Sequence, residues 1–130
     1  MPTPGSNRRD LIEGRPALIV IDIQASTFRD IEKRSIDHMD GYRERMLNAR
    51  PAIDKARACG IPVIFIQEVH RPDLVDFGRE LDGSETVHCL EDNPDTAIAA
   101  KQMDFRPDDY HIRKRRYSAF FGTDLEILLR

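Results

Sequence analysis

The sequence predicts a parallel α/β fold. Two apolar, largely β-branched runs, at 17–21 and 61–66, and a helical pattern between them that stops at a glycine carry that expectation. Runs without polar alternation suit strands covered on both faces, as in parallel sheets. A strand, a helix and a second strand in that order form a βαβ unit, which sets the two strands parallel.

Each element follows from local chemistry. Residues 1–15 read as a flexible N-terminal arm, with Pro2, Pro4, Gly5 and Gly14 among polar spacers, and the domain occupies 16–130. Ala17-Leu18-Ile19-Val20-Ile21, closed by Asp22, is short enough to favour a strand over a buried helix segment. Residues 38–59 place Met39, Tyr42, Met46, Leu47, Ile53 and Ala56 at near-helical spacing and end at Gly60, a helix-stop signal. Pro51 removes a hydrogen bond within that helix and kinks or restarts it. Ile61–Ile66 is the second buried strand. Residues 71–96, rich in Asp, Glu, Gly and Pro without a period, form an excursion over the sheet edge. A short helix over Asp95–Met103, a turn at Pro107-Asp108-Asp109 and a third strand over Tyr110–Lys114 follow. Thr123 is the expected N-cap of a last helix, with Glu126 completing a capping box. That helix reaches Arg130 without a C-cap, and a three-stranded parallel sheet leaves long edges unpaired. The domain is therefore expected to be incomplete at its C-terminus, with a frayed natural terminus as the alternative.

Composition narrows the function classes. The 130 residues are 40% hydrophobic and 33% charged, which fits one solvated globular domain. A net charge of −3 gives no basic footprint for nucleic acid. The longest apolar run falls far short of the roughly 20 residues of a membrane span. Two cysteines cannot build a disulfide framework and suit a reducing compartment, and no signal-peptide core precedes the domain. A cytoplasmic protein without nucleic-acid or membrane partners is expected.

Chemistry concentrates at strand ends. Asp22 follows an apolar strand directly, at the edge where open α/β sheets bind ligands. It is either a proton-transfer group at the mouth of a low-dielectric core or the cap of a turn. Arg113-Lys114-Arg115-Arg116 is either a solvated basic patch or a strand end that turns one cation inward. An inward lysine beside Asp22 would be a paired charge able to activate a nucleophile. Glu68 and His70 share a strand face, so with His88 they offer three metal ligands, the alternative being a satisfied surface histidine. Cys59, between helix and strand, reads as a buried structural thiol. Cys89 follows His88 and is the only nucleophile candidate among the two, without an evident helix N-terminus or oxyanion hole.

Taken together, these segments resemble the isochorismatase-like cysteine hydrolases, which include nicotinamidase, N-carbamoylsarcosine amidase, biuret hydrolase and ureidoacrylate amidohydrolase. Residues 17–24 with Phe28 are similar to the family's first strand and catalytic Asp. Residues 56–64 resemble its helix-into-second-strand signature, and residues 114–125 its catalytic-lysine motif. The resemblance implies a Rossmann-like three-layer α/β/α sandwich with a parallel central sheet. It implies hydrolysis of a small-molecule amide or carbamoyl C–N bond by an Asp–Lys–Cys triad, with Asp22 and Lys114 catalytic. Gln24 and Phe28 are implied as substrate-binding.

The family's nucleophile follows the lysine by a helix and another strand. Neither Cys59 nor Cys89 matches its motif, so the thiol is expected beyond Arg130 and the chain alone is expected to be inactive. Residues 68–70 and 88–89 fall where nicotinamidases carry Asp-x-His and His-Cys. No cofactor is required, and a divalent metal such as zinc at Glu68, His70 and His88 is the one group implied. Residues 71–83 look closer to the carbamoyl- and urea-type amidases. A homo-oligomer is expected, with a neighbouring subunit completing the pocket. The rival functions are isochorismatase-type vinyl-ether hydrolysis, which needs no thiol, and a non-catalytic binding or assembly module.

Overall fold

A computed structural model of the chain describes residues 12–29 and 39–130. Most of the expected N-terminal arm, residues 1–11, lies outside the described residues, as does residue 38 at the start of the expected first helix. Three strands, β1 (Leu18–Ile21), β2 (Val63–Glu68) and β3 (Tyr110–Lys114), form one parallel sheet in the order β1-β2-β3. Ile21 pairs with Ile66, and Glu68 with Lys114, so the strands end at the same edge.

Alternation along β2 builds two cores. Val63 and Phe65 face one side, where they pack with Ile53 and Ala56 of a helix and with Ile98 and Met103. Ile64 and Ile66 face the other side, with Ile112, Ala119 and Leu125. Strand side chains point alternately to opposite faces, so one apolar run without polar interruption serves both layers. Each large side chain buried this way contributes about 1.5–3 kcal/mol. The run covered on both faces is β2. β1, expected to be covered likewise, has one strand neighbour among the described residues, and Ile21 at its end is 52% exposed.

The expected long helix is two: α1 (Tyr42–Leu47) and α2 (Ala49–Ala58). Pro51 explains the division, because it has no N–H to donate to the carbonyl of Leu47. It falls in the first turn of α2, where a missing donor costs little. At the other end Gly60 adopts φ +68°, its N–H bonds Arg57 O at 3.1 Å, and Ile61 N–H bonds Ala56 O at 2.8 Å. This is a Schellman turn, closed by the glycine that the sequence marked as a stop.

Three local expectations are corrected. The expected helix over 95–103 is a 3-10 turn (Pro94–Thr96) and a short α3 (Ala100–Met103). Between them the chain runs alongside residues 23–25, with Ala25 N–H to Ala97 O at 2.7 Å and Ala99 N–H to Ile23 O at 3.1 Å. In α4 (Leu125–Leu128) the N-cap is Asp124, while Thr123 Oγ1 accepts from Leu125 N–H. No capping box closes, because Glu126 reaches forward to Arg130 at 2.5 Å. Cys59 ends α2 on its outer side and is exposed, not buried.

Candidate active site

The shared carboxyl-terminal edge of the three strands brings the chemistry together. Asp22 takes the first position after β1, in the left-handed conformation at φ +58°. Its N–H still bonds Ile66 O at 2.9 Å, which keeps it in the sheet's register. On β3, Ile112 and Lys114 point inward and Arg113 outward, as the period of two requires. Lys114 is buried, and its Nζ lies 2.8 Å from Asp22 Oδ2 and donates to Tyr117 O at 2.9 Å. The lysine therefore faces the aspartate across the edge of the sheet. Asp22 Oδ1 is buried without a hydrogen-bond partner among the described residues. Burial raises the Asp22 pKa above the ordinary carboxylate value, against the hydrogen bond and charge of Lys114, and the charge of Glu68 adds to the rise.

The rest of the basic cluster ties the irregular segment down. Arg115 donates to Val69 O and lies 3.4 Å from Asp76, and Arg116 donates to Asp76 O at 2.5 Å. Neither is the solvated cation that four consecutive basic residues usually suggest.

Gln24 is buried, and its amide stitches the end of β1 to the end of β2. Its Nε2 donates to Glu68 O at 3.0 Å and Thr96 O at 2.7 Å, while its Oε1 accepts from Glu68 N–H at 2.9 Å. The amide is spent on the backbone. Phe28 packs against the core that holds Val20 and Ile53.

Glu68, His70 and His88 converge, with one ligand atom from each lying within 4.8 Å of the others. Glu68 Oε1 is 3.0 Å from both His70 Nε2 and His88 Nε2. The excursion reaches His88 because it returns beside β2: His70 N–H bonds Cys89 O at 2.7 Å and Glu91 N–H bonds His70 O at 2.8 Å. Thr86 O accepts from His88 Nδ1–H at 2.5 Å, which turns Nε2 toward the centre, the edge a ligating imidazole presents. His70 is fully buried, stacked on Phe77 at 3.8 Å, with Nδ1 3.6 Å from Asp76 Oδ1. Two imidazoles and a carboxylate are a donor set that fits a divalent ion such as zinc, with His88 held from behind by Thr86, while His70 Nδ1 has no hydrogen-bond partner among the described residues. Burial works against protonation of His88, but the hydrogen bonds to Thr86 and Glu68 outweigh it and raise its pKa.

Asp76, Phe77 and Glu80 are site residues that the sequence did not single out individually. They lie in the stretch without periodicity, where no pattern says which carboxylate returns to the sheet. Burial would raise the Glu80 pKa, yet hydrogen bonds from its own N–H and that of Gly78, with the charges of Arg116 and His70, hold it below the ordinary value.

Cys89 sits beside this centre at φ +53°, its Sγ 3.8 Å from Gln24 Nε2. Burial and the negative charges of Glu68 and Asp22 push its thiol up to about 12. Such a thiol is not a thiolate at neutral pH. A cleft of about 870 Å³ is lined by Arg79, Glu80, Glu85, Arg116, Tyr117 and Phe121 among others, and its lining includes neither the Asp22–Lys114 pair nor Cys89.

Residues 16–130 match the family model of the isochorismatase domain. The chain belongs to the isochorismatase family. It is 32% identical over 134 residues to the ureidoacrylate amidohydrolase of Yersinia enterocolitica, covering 88% of this chain and 57% of that protein. It is 31% identical over 118 residues to a "probable inactive nicotinamidase" of Arabidopsis thaliana, covering 88% of this chain and 59% of that one. Among solved structures, the zinc complex of the pyrazinamidase of Pyrococcus horikoshii superposes with a TM-score of 0.68 at 26% identity, over 88% of this chain and 63% of that chain. The chain thus spans less than two thirds of the length of these isochorismatase-family relatives. Among the described residues no helix is long and apolar enough to cross a membrane.

Proposed function

We propose that this protein hydrolyses a C–N bond of a small amide or carbamoyl compound, with Asp22 and Lys114 as its acid–base and charge-balancing pair. The observation that carries the reading is the 2.8 Å contact between a buried lysine and an aspartate whose second oxygen has no hydrogen-bond partner among the described residues. An aspartate with a raised pKa accepts a proton from a thiol and later returns it to the leaving amine. Lys114 offsets the negative charge that builds on the thiolate and the tetrahedral intermediate. The thiol attacks the carbonyl carbon, amine departs, and water releases the thioester.

Both cysteines of the chain are unsuited to that attack. Cys59 is on the surface at the end of α2, and Cys89 is held protonated. The nucleophile is accordingly assigned to residues outside these 130. Gln24 serves by fixing the strand ends that carry Asp22 and Glu68, and Phe28 by supporting the wall behind them. Glu68, His70 and His88 would hold a divalent metal, which would supply a fixed positive charge beside the cleft. Exposed Tyr117, Phe120 and Phe121 near the cleft support a homo-oligomer in which a neighbouring subunit completes the pocket.

The match of residues 16–130 to the isochorismatase domain supports one second reading, vinyl-ether hydrolysis of the isochorismatase type, which keeps Asp22 and Lys114 and needs no cysteine. Ammonia release by the full-length protein from ureidoacrylate, N-carbamoylsarcosine and nicotinamide tests the first reading. Activity on at least one, abolished by iodoacetamide and by Asp22→Asn, is expected. Hydrolysis that survives iodoacetamide intact would move the assignment to the thiol-free chemistry.

A further inference from the structure

Two buried glutamine amides meet on one backbone carbonyl. Gln24, past the end of β1, donates from Nε2 to Thr96 O at 2.7 Å, and Gln67 on β2 donates from Nε2 to the same oxygen at 2.8 Å. A carbonyl oxygen has two lone pairs, so this pair of donors fills it. Thr96 O can only accept, which fixes the orientation of the Gln67 amide and turns its Oε1 to His111. His111 Nε2–H on β3 donates there at 2.8 Å. One chain of hydrogen bonds therefore reaches from β3 across β2 to the end of β1.

Thr96 is tied to the site on two sides. Its Oγ1 donates to Leu90 O at 2.7 Å, beside the Cys89 and Glu91 backbone groups that bond His70. The next residue, Ala97, accepts from Ala25 N–H at 2.7 Å, and Ala99 N–H bonds Ile23 O at 3.1 Å. Asp22 lies between that short ladder and its own N–H bond to Ile66 O at 2.9 Å. A residue other than glycine at φ +58° keeps that conformation only where its neighbours hold it from both sides.

We propose that Gln67 is a positioning residue for Asp22, acting through the Thr96 carbonyl, an inference that rests on the catalytic role given to Asp22 above. Gln67 shares the strand face of Phe65, opposite to that of Glu68, so it acts from behind the site. Without its donor, Thr96 rests on Gln24 alone and the 23–25 segment loosens beside Asp22. Misplacing a catalytic group by about 1 Å is enough to cost up to about 10²-fold in rate.

Gln67→Met in the full-length protein keeps the side chain's length and removes both its donor and its acceptor. Amide hydrogen exchange at Ala25 and Ala99 is expected to quicken about fivefold or more, while the Asp109 amide at the opposite edge keeps its wild-type rate. Ammonia release from ureidoacrylate, N-carbamoylsarcosine or nicotinamide, whichever the wild type turns over, is expected to show kcat about tenfold lower. KM should change less than about twofold, because Asp22 moves a proton and does not hold the substrate. His111→Phe leaves the Thr96 bond and frees Gln67 Oε1, so the same changes should appear more weakly. Ile53→Val, in the core on the same side of the sheet, lowers stability and is expected to leave kcat at the wild-type value. Unchanged exchange at Ala25 and Ala99 in Gln67→Met would overturn the brace whatever the chemistry. Faster exchange with wild-type kcat, or an equal loss of kcat in Ile53→Val, would overturn the positioning role. A wild type that turns over none of the three amides would remove the hydrolase reading and the positioning role with it, while exchange still decides the brace. Should Gln67→Met fail to fold, Gln67→Asn, one methylene short of Thr96, must show the same changes or the role falls.

Discussion

Two aspartate–cation pairs sit at opposite edges of the same sheet, and their carboxylates behave in opposite ways. Asp22 lies at the carboxyl-terminal edge, 2.8 Å from Lys114, and its pKa is raised by burial. Asp109 lies just before β3, at the other edge, and accepts from Arg57 Nη1 and Nη2 at 2.7 Å each and from Arg106 N–H at 2.7 Å. Its pKa is lowered, chiefly by the Arg57 hydrogen bonds. Charge type and distance are nearly the same in the two pairs. The difference lies in what is left over: both oxygens of Asp109 are satisfied, whereas Asp22 Oδ1 has no hydrogen-bond partner among the described residues. A carboxylate with a filled coordination shell is a fastener, and one with a free oxygen at the ligand-binding edge of a parallel sheet is able to move a proton.

The largest effect that would sharpen this contrast is catalytic. Asp22→Asn in the full-length protein is expected to lower kcat about 10²–10⁴-fold, the usual worth of a positioned general acid–base. Asp109→Asn is expected to leave kcat unchanged. Steady-state ammonia release measures both, and comparable losses in the two variants would break the distinction.

Stability should reverse that order. Asp109→Asn removes one partner of a pair whose side chains are only 7% and 18% exposed, and is expected to cost about 3 kcal/mol. Asp22 keeps 38% of its side chain exposed, so water screens the loss at Asp22→Asn and the cost should be the smaller of the two. Urea unfolding of both variants gives the comparison.

These two edges were not equally legible in the sequence. Asp22 could be read because it closes an apolar run, and an inward cation because the period of two at the end of Tyr110–Lys114 turns one basic side chain to the core, while the resemblance singled out Lys114 as that cation. Glu68 and His70 share that advantage, two residues apart at the end of β2. Asp109 was read only as part of a turn, since its partner comes from α2 and no local pattern joins residue 57 to residue 109. Glu80 and Asp76 lie in a stretch where neither period operates, so their return to the sheet is a tertiary fact. Gln24 is the opposite case: the resemblance implies a substrate-binding role, while the structure shows its amide bonded to backbone groups at the ends of the strands, a contact no local pattern announces. The split at Pro51 and the stop at Gly60 were visible because proline and glycine act on the backbone directly.

The pH signatures of the two pairs have opposite signs. A carboxylate with a lowered pKa contributes stability above its unfolded value, near 3.9, that is lost as pH falls through the folded pKa. Asp109 therefore contributes to acid unfolding, and Asp109→Asn should flatten the loss of stability below about pH 4. For Asp22 the folded pKa is raised, so its contribution is fully present below about 3.9 and is lost as pH rises through the folded value. The same shift places the acidic limb of kcat/KM above the ordinary aspartate value, because the base must be ionised to take the thiol proton. Lys114 holds that pKa down against burial, so residual activity of Lys114→Met should show the limb displaced to still higher pH. A limb that stays at the ordinary aspartate value in both proteins would remove Asp22 as the base.

The smallest expected effect concerns Cys89, which lies near the Asp22 pair yet takes no part in the chemistry assigned to it. With its thiol pushed up to about 12, only about one molecule in 10⁵ carries the thiolate at pH 7. Attack on an amide carbonyl from so small a population would forfeit what the nearby lysine offers. Its hydrogen-bonding role is also slight, one sulfur contact at 3.8 Å to Gln24. Cys89→Ser keeps a small polar group at the same φ +53° and is expected to change kcat less than about threefold, within roughly 0.6 kcal/mol. Iodoacetamide in slight excess should modify exposed Cys59 in this 130-residue segment and leave Cys89 unlabelled, as peptide mass mapping would show. Rapid labelling of Cys89, together with loss of turnover in Cys89→Ser, would place the nucleophile within these residues and join the two features that the Asp22 edge now keeps apart.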